Sequence, residues 1–302
     1  MFDNIKRISF KHKNNKPWYY VKNYIRLIIP TARYQHQLQA ILSQLDEEDI
    51  DYINMRLNYY NKLTQIQELP DNAIELRELT ATYKKNVYFF DTREYTRYFP
   101  QNLKIATCFG DVTHIPNVPS IVKSRPIKGD NTNSVVMKLE KIRHFLFVND
   151  KKNFSDKKDK LIGRGKIRQP HRIRFMEKYY GHPMCDVGQV NITTEARFPA
   201  NRLTIAEHLN YKFILCLEGN DVASNLKWVM SSNSLAVMPK PKYETWFMEG
   251  TLIPNYHYML IKDDYSDLEE RMNYYIEHPD EAQQIINNAH KYIEQFKNKK
   301  RE

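Results

Sequence analysis

One stretch, from Tyr211 to Tyr258, restricts the fold of this 302-residue chain more than any other. It starts with Tyr211-Lys212-Phe213-Ile214-Leu215-Cys216-Leu217, an apolar run of strand length. A run with almost no polar alternation is the pattern of a strand covered on both faces, as in parallel sheets. Glu218-Gly219-Asn220-Asp221 then supplies a tight turn, and a helix, a second strand and a polar loop ending in Tyr256-His257-Tyr258 follow. Strand, turn, helix and strand in that order predict an α/β fold. In open α/β sheets ligands sit outside the carboxyl ends of the strands. A phosphate placed there meets unpaired helix N–H groups and the positive end of the helix dipole.

The chain is long enough for two hydrophobic cores. Residues 149–160 are polar and charged, so an N-terminal domain over 1–160 and a C-terminal domain over 161–302 are expected. Lys and Arg number 46 against 36 Asp and Glu, a formal charge of +10. The partner is therefore acidic: nucleic acid, anionic lipid or a phosphorylated small molecule. Cys108, Cys185 and Cys216 include no Cys-x-x-Cys pair, which argues against a zinc site or a disulfide framework and fits a reducing compartment. Residues 1–16 are basic and polar without an apolar centre, so no secretory signal is expected. Leu27-Ile28-Ile29 is too short to span a bilayer. A cytoplasmic protein that visits a membrane only at its surface is the expectation.

Residues 17–68 read as helical, with Leu38, Ile41, Leu42 and Leu45 at helical spacing. Asp46-Glu47-Glu48-Asp49 suits the start of a further helix. Residues 86–91 read as a short strand and 104–111 as a second, buried one. One or two strands are expected within 135–148. Residues 161–165 form a strand that leads into a helix with Pro170 in its first turn. A short helix is expected over 203–209. Ser266, followed three residues later by Glu269, has the pattern of a capping box, and the last helix runs over about 280–297 by its helical spacing.

Four constellations could carry chemistry. Arg164-Gly165-Lys166-Ile167-Arg168-Gln169-Pro170-His171-Arg172 puts several cations and a Gly at a strand-to-helix turn. Guanidinium groups suit phosphate and Gly permits close backbone approach, although the spacing is not that of a Walker A loop. The plain alternative is a basic helix start on the surface, and the two readings stand even. In Gly219 to Trp228, a turn capped by Asn220 or Asp221 opens a helix whose N–H groups and Ser224 hydroxyl could hold a diphosphate. An ordinary N-capped helix is the competing reading. Tyr243-Glu244-Thr245-Trp246-Phe247 with Tyr256-His257-Tyr258 sets a carboxylate among aromatics, which suits sugar hydroxyls or a packed aromatic corner. Asp111, after Gly110 at the end of an apolar run, is placed to act as a general base or to serve as a turn residue. No His-x-x-x-His or EF-hand pattern is present, so no dedicated metal site is expected.

Taken in order, four groups of residues resemble glycosyltransferase family 90, in particular its bacterial lipopolysaccharide branch, over residues 104–295. They are Gly110-Asp111 with the Pro-rich loop after it; Arg164-Gly165 with Pro170 and Arg172; Tyr211-Lys212 through Gly219 and Lys227; and Glu244, Trp246 and Phe247, then His257-Tyr258 and Asp267-Leu268-Glu269. The resemblance implies a GT-B-like pair of Rossmann-type domains facing a cleft, with a helical N-terminal region and a C-terminal helix. It implies inverting, metal-independent transfer from a nucleotide sugar, usually UDP-linked, to a lipopolysaccharide or related surface glycan, with no cofactor. Carried over, Asp111 matches the catalytic base. Arg164, Gly165, Arg172, Gly219, Asn220, Asp221, Ser224, Asn225, Lys227 and Glu244 fall to the sugar-donor site, and His114, Trp246 and His257 to acceptor or sugar contacts. Many eukaryotic members have Arg where this chain has Asn225, which shifts phosphate neutralisation to Arg164, Arg172 and Lys227. An anionic membrane surface becomes a transient partner, at the inner membrane face. A nucleic-acid or acidic-glycan binding protein without catalysis is the competing class. It accounts for the charge and the aromatics, but the chain carries no recognisable RNA- or DNA-binding motif.

Overall fold

The structure is a computed structural model that describes residues 12, 14–70, 73–80, 86–191, 196–298 and 302. The basic opening of the chain up to residue 11 and residues 299–301 of the basic tail lie outside the described residues. Along the chain come the helices α1 (Lys16–Ile28), α2 (Thr31–Leu42) and α3 (Glu47–Tyr60), then β1 (Ile74–Glu75) and α4 (Asn86–Thr96). Next are β2 (Lys104–Ile105), β3 (Thr107–Cys108), β4 (Ser120–Val122), β5 (Ser124–Pro126), β6 (Ser134–Val136) and α5 (Lys141–His144). The alternating part follows: β7 (Lys158–Gly165), α6 (Pro170–Tyr179), β8 (Cys185–Gln189), α7 (Ile205–His208), β9 (Tyr211–Leu215), α8 (Leu226–Met230) and β10 (Leu235–Met238). The chain closes with β11 (Tyr243–Thr245), β12 (Met259–Leu260), α9 (Leu268–Glu277) and α10 (Pro279–Glu294). These elements make a mixed α/β fold with parallel sheets.

The chain gathers into two compact units. The first holds Asn15–Arg143, Lys242–Gly250 and Glu302; the second holds Asn14, His144–Pro241 and Thr251–Asn298.

The second unit is built on a parallel sheet in the order β12-β10-β9-β7-β8. Every residue of β9 and β10 is buried, which is why their sequences run apolar without alternation. Gly163 on β7 lets β9 approach closely, since a Cβ there would lie 3.0 Å from the Leu215 side chain. Helices cover the sheet with apolar stripes. α10 contributes Ala282, Ile285, Ile286 and Ala289 at helical spacing, and α6 contributes Phe175, Met176 and Tyr179. Burying each large side chain of this core is worth roughly 1.5–3 kcal/mol. Counted along the chain, the first strand of the sheet, β7, lies between the second, β8, and the third, β9. The winding therefore reverses between β7 and β9. That switch point opens a crevice at the carboxyl ends of these two strands.

The first unit contains the helices α1 to α4 and a small parallel sheet in the order β3-β4-β6. It also holds two antiparallel pairs, β1 with β2 and β5 with β11. In the latter, Arg125 lies directly opposite Glu244.

Several expectations are corrected here. Residues 86–91 belong to helix α4, not to a strand. Tyr88, Phe89, Phe90, Asp91 and Thr92 are all buried, and a short run buried on all sides has no periodicity to separate helix from strand. The expected buried strand at 104–111 is two short strands, half-exposed or exposed along their length. The helical start ends at Tyr60 and does not continue to 68. Ser266 does not cap α9: its N–H and hydroxyl both bond the Asp264 carboxylate, at 3.0 and 2.8 Å. Local turn bonding has taken the hydroxyl that the capping box required. The turn at Gly219 does not open a helix directly either, because α8 begins only at Leu226.

Candidate active site

In the second unit, the loops leaving β7 and β9 are fastened to the first turn of α6. Arg172 donates from Nε to the Glu218 carbonyl at 2.8 Å, from Nη1 to Lys166 at 3.0 Å and from Nη2 to Leu217 at 2.8 Å. His171 Nε2 lies 2.8 Å from the same Glu218 carbonyl; a carbonyl only accepts, so Nε2 carries the proton. The Gln169 amide donates to Asn220 Oδ1 at 2.8 Å. One helix start thus holds both lips of the switch-point crevice, with Gly165 and Gly219 against the Arg172 guanidinium. Lys166 and Arg168 are exposed on the first of these loops. The result is a preorganised cationic cradle where ligands of open α/β sheets bind.

The other cations of the expected set are engaged elsewhere. Arg164 is ion-paired with Asp186 on β8 and donates from Nε to the Asn201 carbonyl at 2.9 Å. Burial alone would raise the Asp186 carboxyl, but the Tyr211 hydroxyl and the Arg164 guanidinium overcome it and hold the group below its usual range. Lys227 is fully buried on α8. Asp221 is buried as well, Ser224 is half-buried, and the Asn225 amide donates to the Leu215 carbonyl at 2.9 Å, tying the loop to the end of β9. His257 accepts the Ile253 N–H at Nδ1, 2.9 Å away, and packs against Tyr256 and Tyr292. Burial lowers its pKa.

In the first unit, Asp111 follows Gly110, whose φ of 133° is open to glycine and strained for other residues. The backbone can therefore turn sharply just beyond β3. The Lys123 ammonium, 1% exposed, sits at the carboxyl end of β4, 2.5 Å from Asp111 Oδ1 and 3.6 Å from Glu140 Oε2. Three residues that follow the three parallel strands thus converge at one edge of the small sheet. A buried ammonium needs such partners, and in return it fixes the carboxylate of Asp111, whose side chain keeps 30% of its exposure. His114 is exposed on the same loop, with Nε2 4.0 Å from Cys108 Sγ.

Glu244 and Trp246 fall in the first unit, although they come late in the chain. Glu244 accepts from Arg125 Nε at 2.8 Å and from the Tyr59 hydroxyl, and is 2% exposed. Trp246 stacks on Tyr60, with ring centroids 3.9 Å apart, and donates from Nε1 to Glu302 at 2.9 Å. These contacts hold the Glu244 carboxylate in a buried ion pair within the first unit. Reasoning from sequence passed over Lys123, Arg125 and Asp186. The available signal for the first two was a pair of cations, Lys123-Ser124-Arg125, directly after an apolar run and before Pro126.

With this geometry described, comparison with known proteins adds the following. The sequence pattern of glycosyl transferase family 90 matches residues 136–301, which takes in the whole switch-point cradle and leaves Asp111 and His114 outside. The O-glucosyltransferase LpsA of Dichelobacter nodosus is 40% identical over 293 residues, 94% of this chain and 92% of that protein. Both findings favour an enzyme over a non-catalytic binding protein.

Proposed function

Because the chain belongs to glycosyl transferase family 90 and is a glycosyltransferase, we propose that it transfers a sugar from a UDP-linked donor to a lipopolysaccharide or related surface glycan. In this reading the transfer is inverting and needs no metal. The observation that carries it is the fastening of both switch-point loops to Arg172 and His171, which shapes a diphosphate cradle before any ligand arrives. The GT-B-like plan of two domains, the cytoplasmic location and the glucosyl identity of the sugar, suggested by the name of the Dichelobacter nodosus relative, belong to the same reading.

The sugar-donor set narrows to Gly165, Arg172, Gly219, Asn220 and the exposed cations Lys166 and Arg168. Charge grows on the diphosphate as it leaves, and fixed cations and N–H groups stabilise it more in the transition state than in the ground state. Asp111, held by Lys123, takes the proton of the acceptor hydroxyl as the new glycosidic bond forms. The acceptor oxygen bonds the anomeric carbon on the face opposite the departing UDP, so the configuration inverts.

Two measurements test this reading. UDP at about a hundredfold excess over its Kd should stabilise the protein by about 2.7 kcal/mol, visible as a raised melting temperature that chelator leaves unchanged. A shift that needs divalent metal would refute metal independence, and no shift with any nucleotide would refute the sugar-donor site. Arg172→Ala is expected to weaken UDP binding roughly 10- to 100-fold, the value of one charge-assisted hydrogen-bonded contact. Unchanged UDP affinity, measured by calorimetry, would remove Arg172 from the site.

A further inference from the structure

Helix α1 presents an apolar stripe to solvent. Trp18 is 61% exposed, Val21 47%, Ile25 53% and Ile28 83%. At the α-helical turn of 3.6 residues these four lie within an arc of about 80° along a cylinder about 20 Å long. Scattered surface apolar residues need no explanation, but a contiguous stripe does. The opposite face anchors the helix on α4: the Tyr19 hydroxyl donates to Asp91 at 2.7 Å, Tyr20 packs against Phe90 and Arg26 pairs with Glu94 at 3.0 Å. Asn15 caps the first turn by accepting the Trp18 N–H at 3.0 Å. The stripe is therefore carried on a formed, docked helix.

Charge selects what covers it. Between Asn14 and Leu45 the chain carries Lys16, Lys22, Arg26 and Arg33 and no acidic residue. α3 also exposes apolar side chains, Met55 at 50% and Leu57 at 54%, but it contains Glu47, Glu48, Asp49 and Asp51 against one Arg. An anionic surface would accept α1 and repel α3. Among the described residues no helix is long and apolar enough to cross a membrane.

We propose that α1 is an interfacial membrane anchor. It lies in the plane of an anionic lipid surface, with Trp18, Val21, Ile25 and Ile28 in the acyl boundary and Lys22, about 40° from Trp18 around the helix, among the phosphates. α1 belongs to the first unit and the nucleotide cradle to the second, and each cation near the lipid surface adds about fivefold to binding.

The test is co-sedimentation of the full chain with vesicles of phosphatidylcholine alone and with phosphatidylglycerol added, at low and at physiological salt. Binding is expected only to the mixed vesicles and should weaken with salt. Trp18 emission should shift to the blue, while the mostly buried Trp228 changes little. The double variant Ile25→Glu with Ile28→Glu should lose at least tenfold in partitioning, and Ile28→Glu alone should show a smaller loss. Met55→Glu with Leu57→Glu adds the same two charges on α3 and should bind as the wild type does. UDP stabilisation, recorded on each variant, should stay unchanged; it separates failure of the anchor from failure of the nucleotide site. Wild-type protein that ignores mixed vesicles, or α1 variants that bind as wild type does, would overturn the proposal. Self-association that the α1 double variant abolishes would instead assign the stripe to a second copy of this chain.

Discussion

Asp111→Asn is expected to lower turnover roughly 10²- to 10⁴-fold, the usual contribution of a general base. UDP affinity and melting temperature should stay near the wild type's. The amide keeps the shape of the carboxylate and can still accept from Lys123, but it cannot take a proton. Lys123 is not left without a counter-charge, because Glu140 Oε2 lies 3.6 Å from its ammonium. Any loss of folding stability should accordingly be small beside the kinetic loss. Turnover within a few-fold of wild type would remove Asp111 from the mechanism. A large fall in melting temperature would show that the Lys123 contact is chiefly structural.

Arg125→Met is expected to destabilise the first unit by about 3–5 kcal/mol, as when one member of a buried ion pair is removed. The Arg125 and Glu244 side chains are 0% and 3% exposed. Besides Glu244, the guanidinium donates to the carbonyls of Tyr59 at 2.6 Å, Tyr60 at 3.3 Å and Ser134 at 3.0 Å. Its removal leaves a buried carboxylate and three carbonyls short of a donor. The double variant Arg125→Met with Glu244→Leu should recover much of the loss, since a well-packed apolar pair substitutes for a buried ion pair at little cost. Denaturant unfolding with both variants checks this. A loss below about 1 kcal/mol in the single variant would contradict the burial of the pair.

The contrast between Arg164 and Arg172 shows where reading from sequence stops. Both belong to one short basic segment, and by sequence both are expected to meet phosphate. Arg164 is on a strand and faces Asp186 of the neighbouring strand, 22 positions away. Arg172 is on the first turn of α6 and reaches the loop after β9, 45 and 46 positions away. Pairings over such separations leave no mark in local pattern. Glu244 is a stronger case: its partner Arg125 lies 119 positions earlier. A boundary drawn along the sequence also cannot express that residues 242–250 pack with the first unit.

Helix α4 failed as a sequence reading for a related reason. Its buried residues surround the helix, so composition looked the same as that of a buried strand.

By itself, the sequence determined the passage from β7 into α6 with its Pro170 start, the run β9–α8–β10 and the turns at Gly165 and Gly219, but not the strand β8 between them. These depend on burial of contiguous residues and on backbone preferences of Pro and Gly, which are local properties. Only the tertiary structure decided which like-charged side chains are engaged elsewhere and which gather at the switch point. That choice depends on strand order and on partners distant in the chain, because a cation is directed by the carboxylate or carbonyl that folding brings beside it.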